Sequence, residues 1–212
     1  MKPGSRSRRP AHPPRRTHGG FTLIDVLVLI VLVGLVAGSL TVLFSRLAAQ
    51  SAESMRARQA LAVGQALLNE VRLMPFSYCD PQDARARLAQ RGIVGGTGCA
   101  STLDGPGPEA GESRYIAGNR FDGITDYHGF TMPGAGCTGL CDSAGNLLNP
   151  AGSALSGCSA RVQLAPATLP GIAALDADGR AQLLRIDVTV QCPGGVPVTL
   201  QALRVRHAPR AV

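Results

Sequence analysis

Gly19-Gly20-Phe21-Thr22-Leu23-Ile24-Asp25 opens an apolar run, FTLIDVLVLIVLVGLVAGSLTVLF, that reaches Phe44. Asp25 is the only charge in the run, and the next charged residue is Arg46. About 20 apolar residues are enough for a helix to cross the hydrocarbon core of a bilayer, so residues 21–44 are predicted to be a transmembrane helix. A carboxylate deep in such a helix costs about 2.5–3.5 kcal/mol on insertion scales, which makes Asp25 a candidate functional residue. Between Phe21 and Pro75 there is no proline, and good helix formers dominate. One helix is therefore expected over residues 21–75, stopped by Pro75 and roughly 80 Å long.

Residues 1–20 precede this helix as a basic leader without acids or an apolar stretch. A secretory signal has its apolar core before the cleavage site. Here the apolar core follows Gly19-Gly20, so cleavage between Gly20 and Phe21 would leave the helix on the mature chain. Two glycines form an open segment that a peptidase can hold extended. The 212-residue chain carries 21 basic and 14 acidic residues, a formal charge of +7. Lys2, Arg6, Arg8, Arg9, Arg15 and Arg16 all lie in the leader, and the remainder is close to neutral. The basic excess thus bears on membrane orientation, with a cytoplasmic N-terminus and the C-terminal bulk outside. It does not call for a nucleic-acid partner. Trp is absent and aromatics are few, which also speaks against a base-stacking surface.

Beyond Phe44 the helix becomes amphipathic. Leu40, Leu47, Ser54, Leu61 and Leu68 recur every seven residues, with Leu43, Gln50, Ala57, Gly64 and Val71 as a companion seam. Arg46, Glu53, Arg56, Arg58, Glu70 and Arg72 lie off it. Such a stripe packs against something, here the globular domain over residues 76–212.

All six cysteines follow the membrane run: Cys79, Cys99, Cys137, Cys141, Cys158 and Cys192. An even number confined to the exported part points to disulfides in an oxidising compartment. Sequence proximity and the strand reading favour Cys79 with Cys99, Cys137 with Cys141, and Cys158 with Cys192. No metal site and no cofactor are expected. Cys137 and Cys141 have the wrong spacing for a zinc knuckle. Asp122 and Asp126 flank Gly123, but the EF-hand spacing is missing, and Asx turns account for such loop acids. His12, His18, His128 and His207 form no visible catalytic pairing, and no nucleophile elbow, phosphate loop or H-E-x-x-H run occurs. An enzyme is not expected.

Residues 92–119 and 131–159 are rich in Gly, Pro, Ser and Thr and read as loops. From residue 160 the period becomes two. Ala160, Val162 and Leu164 form one series; Ile186, Val188, Val190 and Cys192 form another. Val198 and Leu200 start a third that continues to Leu203 and Val205, with a phase change near Ala202 that implies a bulge. Pro193-Gly194-Gly195 turns between the last two. Half-buried alternation means an antiparallel sheet with one face on the core, covered by the amphipathic half of the helix. The fold class expected is α+β.

The order of basic leader, Gly-Phe, and an acid four residues later inside an apolar helix resembles the N-terminal signature of type IV prepilins and pseudopilins, with Asp25 in the place of the usual Glu. The resemblance implies a pilin-like fold, cleavage between Gly20 and Phe21 by a prepilin peptidase, and N-methylation of Phe21. It further implies that Asp25 assists assembly by pairing with the α-amine of its own or a neighbouring subunit. Gly34-x-x-x-Gly38 is compatible with helix bundling. Residues 59–62, 67–71 and 76–81, with the run Arg120-Phe121-Asp122-Gly123-Ile124-Thr125-Asp126-Tyr127-His128-Gly129-Phe130, are similar to minor pilins of the mannose-sensitive haemagglutinin type. The implied partners are other pilin subunits, the prepilin peptidase and an inner-membrane assembly platform. The implied location is the bacterial inner membrane and then the fibre. A type II secretion pseudopilin, a tip adhesin and an uncleaved anchored periplasmic enzyme are the alternatives.

Overall fold

A computed structural model of the chain describes Gly20 and residues 22–206, with the backbone alone at Ala49 and Ala52. The elements in chain order are α1 (Leu23–Leu73), a single 3-10 turn (Thr125–Tyr127), β1 (Thr131–Met132), β2 (Ser159–Pro166), β3 (Leu183–Gln191) and β4 (Val198–Val205). The strands form one antiparallel sheet in the order β1-β2-β3-β4. With the helix, this makes an α+β fold.

The chain divides into two units, with the boundary between Ala48 and Ala49 inside α1. In the described part of the first unit α1 is apolar on all sides, and its Leu, Ile, Val and Phe side chains are exposed, Leu23 at 78% and Phe44 at 67%. This part is long and apolar enough to cross a membrane. The helix stops at Leu73, two residues before Pro75, whose ring disfavours a helical conformation at Met74.

In the second unit one face of α1 enters the core through Ala60, Leu67, Leu68 and Val71. The partners are the inward residues of the sheet: Ala160, Val162 and Leu164 on β2, Ile186, Val188 and Val190 on β3, and half-buried Val198, Leu200 and Ala202 on β4. Period-two alternation places these on one face, and the register aligns Val162 with Val188 and Val188 with Leu200. At Gly64 helix and sheet approach closely. A Cβ there would lie 3.2 Å from Leu200 Cδ1 and 3.4 Å from Val190 Cγ2.

Three expectations are corrected. The heptad seam packs only in its last part: Gly64, Leu68 and Val71 are buried, with Ala60 and Leu67 beside them, while Ser54, Ala57 and Leu61 are exposed. A straight α-helix drifts about 20° per heptad from a strict seven-residue repeat, so a strict seam faces the sheet over only part of its length, and Ala60 and Leu67 join the core from outside it. Second, β4 has no bulge. It pairs with β3 without interruption from Leu183↔Val205 to Val190↔Val198. Unbroken pairing satisfies the ladder that a bulge would disrupt, at the cost of turning Leu203 and Val205 outward, 46% and 48% exposed. Third, β1 interrupts the loop expected over 131–159, because Thr131 and Met132 pair with Arg161 and Ala160.

Candidate functional site

At the N-terminal junction Gly20 is exposed. The leader up to Gly19, with His12 and His18, lies outside the described residues, as do Phe21 and His207. The expected cleavage and methylation position at Phe21 is therefore outside them too. Asp25 faces the start of its own helix. Its Oδ2 accepts hydrogen bonds from Thr22 N (3.0 Å) and Thr22 Oγ1 (2.8 Å), while Thr22 Oγ1 accepts one from Asp25 N (3.3 Å). This reciprocal pair is a capping box with an aspartate in the acid position. Thr22 was not singled out from the sequence, although Thr-x-x-acid before an apolar run carries that signal. The carboxylate also lies at the positive end of the helix dipole.

The cysteines form three disulfides, Cys79–Cys99, Cys137–Cys141 and Cys158–Cys192. The first closes a small second core with Ala89, packed by Tyr78, Ala86 and Leu103. Inside the loop it closes, Asp83 organises the backbone. Its carboxylate accepts from the N–H groups of Arg85, Ala100, Ser101 and Thr102 at 2.7–3.0 Å and from Ser101 Oγ at 3.1 Å. These donors hold its carboxyl well below the usual range.

Residues 104–130 contain no cysteine and are anchored by an ion pair. Arg114, 5% exposed, donates from Nε and Nη2 to Glu70 Oε1 and Oε2, both at 2.6 Å. Tyr127 OH donates to the same Glu70 Oε1 at 2.7 Å. Arg114 Nη1 donates to the carbonyls of Cys141 (2.9 Å) and Asp142 (3.1 Å), and the guanidinium lies 5.3 Å from the Tyr115 ring centre. Burial lowers the Arg114 affinity for its proton, but the Glu70 carboxylate outweighs it and the pKa rises. Burial first, then Glu70, also pushes the Tyr127 hydroxyl up. Glu70, which lies off the expected packing stripe of α1, is turned to this loop.

The same loop gathers acids. A carboxylate oxygen from each of Asp104, Glu109 and Asp126 lies within 4.8 Å of the other two, and Glu112, Asp122 and Asp126 form a second such group. Asp126, 1% exposed, accepts from the N–H groups of Asp122 (2.9 Å) and Gly123 (2.7 Å) through Oδ2. Burial raises Asp104 to about 6 and Asp126 to about 7, with the charge of Glu109 adding to both. Burial also pushes Asp122 and Glu112 up, the latter helped by Glu109. From the sequence Asp122 and Asp126 read as turn acids. Asp104, Glu109 and Glu112 were missed, because the turns of this loop, and no periodicity, bring them there. His128 has a structural contact, its Nδ1 accepting from Leu164 N at 3.3 Å.

No protein-family model, no curated protein and no solved structure matches the chain.

Proposed function

We propose that this protein is a minor pilin subunit of a mannose-sensitive haemagglutinin-type IV pilus, similar to the D subunit of such pili. Its N-terminal segment inserts in the inner membrane with the leader cytoplasmic and the globular part periplasmic. A prepilin peptidase removes residues 1–20 and Phe21 is N-methylated. The subunit then passes through the assembly platform into the fibre, its α1 bundling with those of other pilins.

The observation that carries this reading is Gly19-Gly20-Phe21-Thr22-Leu23-Ile24-Asp25 at the head of a single uninterrupted helix. Two features of the structure support it. The apolar side chains before Ala48 are uncovered, as a lipid- or fibre-packed segment requires. The Asp25 carboxylate already accepts from Thr22 N at 3.0 Å, one residue along the chain from the amine that cleavage would create on Phe21. A carboxylate so placed can take that amine, or a neighbour's, as countercharge and offset the cost of burial in an apolar bundle.

Intact mass and N-terminal sequencing of the membrane-extracted chain, with and without a co-expressed prepilin peptidase, test it. A mature chain starting at N-methylated Phe21 is expected. A Met1 start despite active peptidase overturns the reading and leaves an anchored periplasmic domain. Fibres that lack the processed protein, beside a secretion defect on its deletion, would assign it to a type II pseudopilus.

A further inference from the structure

Residues 104–126 bring five carboxylates together around Asp126, which is common to both groups. Charges of one sign do not gather in a buried place without a counterion or protons. The cation acting on Asp104 is Arg206. Its guanidinium is already stacked over the rings of Phe76 (4.0 Å) and Tyr78 (4.6 Å) and donates to the carbonyls of Ser77 and Ala181.

A second observation concerns individual oxygens. Asp104 is 6% exposed. Its Oδ1 accepts from Thr125 Oγ1, but its Oδ2 is buried with no hydrogen-bond donor. Glu109 Oε2 and Asp122 Oδ1 are likewise buried without a donor. Native proteins rarely leave a buried carboxylate oxygen unpaired. Three such oxygens in one loop are lone pairs turned toward something other than a protein N–H.

We propose that residues 104–126 bind one calcium ion through carboxylate oxygens of Asp104, Glu109 and Asp126, with Asp122 and Glu112, which share Asp126 in the second group, adding negative charge. The donor set is all oxygen, which suits a hard divalent cation and not zinc or copper. Two oxygens bound to one Ca²⁺ at 2.3–2.6 Å lie at most about 5 Å apart, and the three carboxylates meet that limit at 4.8 Å. Magnesium demands near-ideal octahedral geometry at shorter distances, and an irregular loop favours calcium over it. Access is open: Asp104 and Thr125 line a cavity of about 390 Å³ shared with His128, Leu164 and Arg206. The site is independent of N-terminal processing, so it stands or falls separately from the assembly role.

The test uses the detergent-solubilised full chain, stripped with EDTA and exchanged into chelator-free buffer at pH 7.5. Calcium chloride is titrated calorimetrically, with magnesium chloride in parallel. One Ca²⁺ per chain is expected, with a dissociation constant on the order of 10⁻⁴ to 10⁻³ M, the range of extracellular calcium modules. Thermal unfolding should move up by roughly 3–6 °C in 10 mM calcium. Asp104→Asn and Glu109→Gln, each checked for native circular dichroism, should weaken binding at least about ten-fold, the loss of a single charged ligand. Asp187→Asn, on the outer sheet face, should leave it unchanged. Absence of both heat and thermal shift up to 10 mM calcium in folded wild-type protein overturns the proposal. So does calcium binding of undiminished affinity in folded Asp104→Asn and Glu109→Gln.

Discussion

Residues 77–103 and residues 104–126 are successive loops that use acids in opposite ways. The first is closed by Cys79–Cys99 and built around Asp83, whose carboxylate takes five donors from its own loop. The second has no disulfide. It is tied to α1 by Arg114 and Glu70, and three of its acids keep a buried oxygen without a donor. The difference shows that a buried carboxylate is not by itself a sign of function. Asp83 is a completed structural device, and Asp104, Glu109 and Asp122 are incomplete without an ion or a proton.

The largest expected effect comes from cutting the anchor of the second loop. Arg114→Ala leaves the inner carboxylate of Glu70 facing Tyr127 with no cation and removes the donor to the Cys141 and Asp142 carbonyls. Removing one partner of a buried ion pair costs about 3–5 kcal/mol. Chemical denaturation of the solubilised chain measures it, and a loss under about 1 kcal/mol would show that the pair is effectively solvated. Glu70→Gln with Arg114→Met, which removes both charges, should recover much of the loss.

Next comes the staple of the first loop. Its cysteines are 20 residues apart, and the chain-entropy relation gives about 3 kcal/mol for Cys79→Ser with Cys99→Ser. Protease nicking should then appear within 77–103 and not within 104–126. Cleavage in both loops alike would mean that they open as one unit and that the contrast between them is only local.

How much of this could be read in the sequence follows from the distance over which each signal acts. The sheet was legible because Val162, Ile186, Val188 and Val190 announce their face through their immediate neighbours, and the end of α1 because Pro75 acts on the residue before it. The direction of Leu203 and Val205 was not, since continuous pairing along β3 outweighs the apolar pattern of β4 itself. Glu70 looked like a surface residue because its partners are 44 and 57 positions away. The acid cluster was half-legible. Asp122 and Asp126 are neighbours in the chain, whereas Asp104 joins them only through the turn at Thr125.

Asp104→Asn sharpens the contrast because its effect depends on calcium. In chelator at pH 8 an ionised Asp104 is held against burial and the charge of Glu109. The asparagine keeps an acceptor for Thr125 and removes that charge, so stability should rise by about 2 kcal/mol. In 10 mM calcium that advantage should shrink by about 1 kcal/mol, because the variant binds the ion roughly ten-fold more weakly. The equivalent change in the first loop, Asp83→Asn, should destabilise under both conditions, because its five donors face a weaker acceptor whether or not calcium is present.

The smallest effect is in the pH profile of the metal-free chain, and the two loops should bend it in opposite directions. Asp83 has a depressed pKa, so its contribution is complete above the ordinary aspartate value of 3.8 and is lost only as pH falls below it. Asp104 and Asp126 are raised to about 6 and about 7. Their contribution is complete below 3.8, declines as the unfolded carboxyls ionise above it, and is gone once pH has passed the folded values. The groups facing them are Asp80, Glu109, Glu112, Asp122, Thr125 and Arg206, and of these only Arg206 is cationic. In EDTA the unfolding midpoint should therefore peak near pH 4–5 and fall by a few degrees toward pH 8. Calcium should restore most of that fall at pH 8 and change little at pH 5, where protons compete for the same oxygens. A midpoint that is flat from pH 5 to 8 in EDTA would mean that water reaches Asp104 and Asp126 freely, and the second loop would then be as complete as the first.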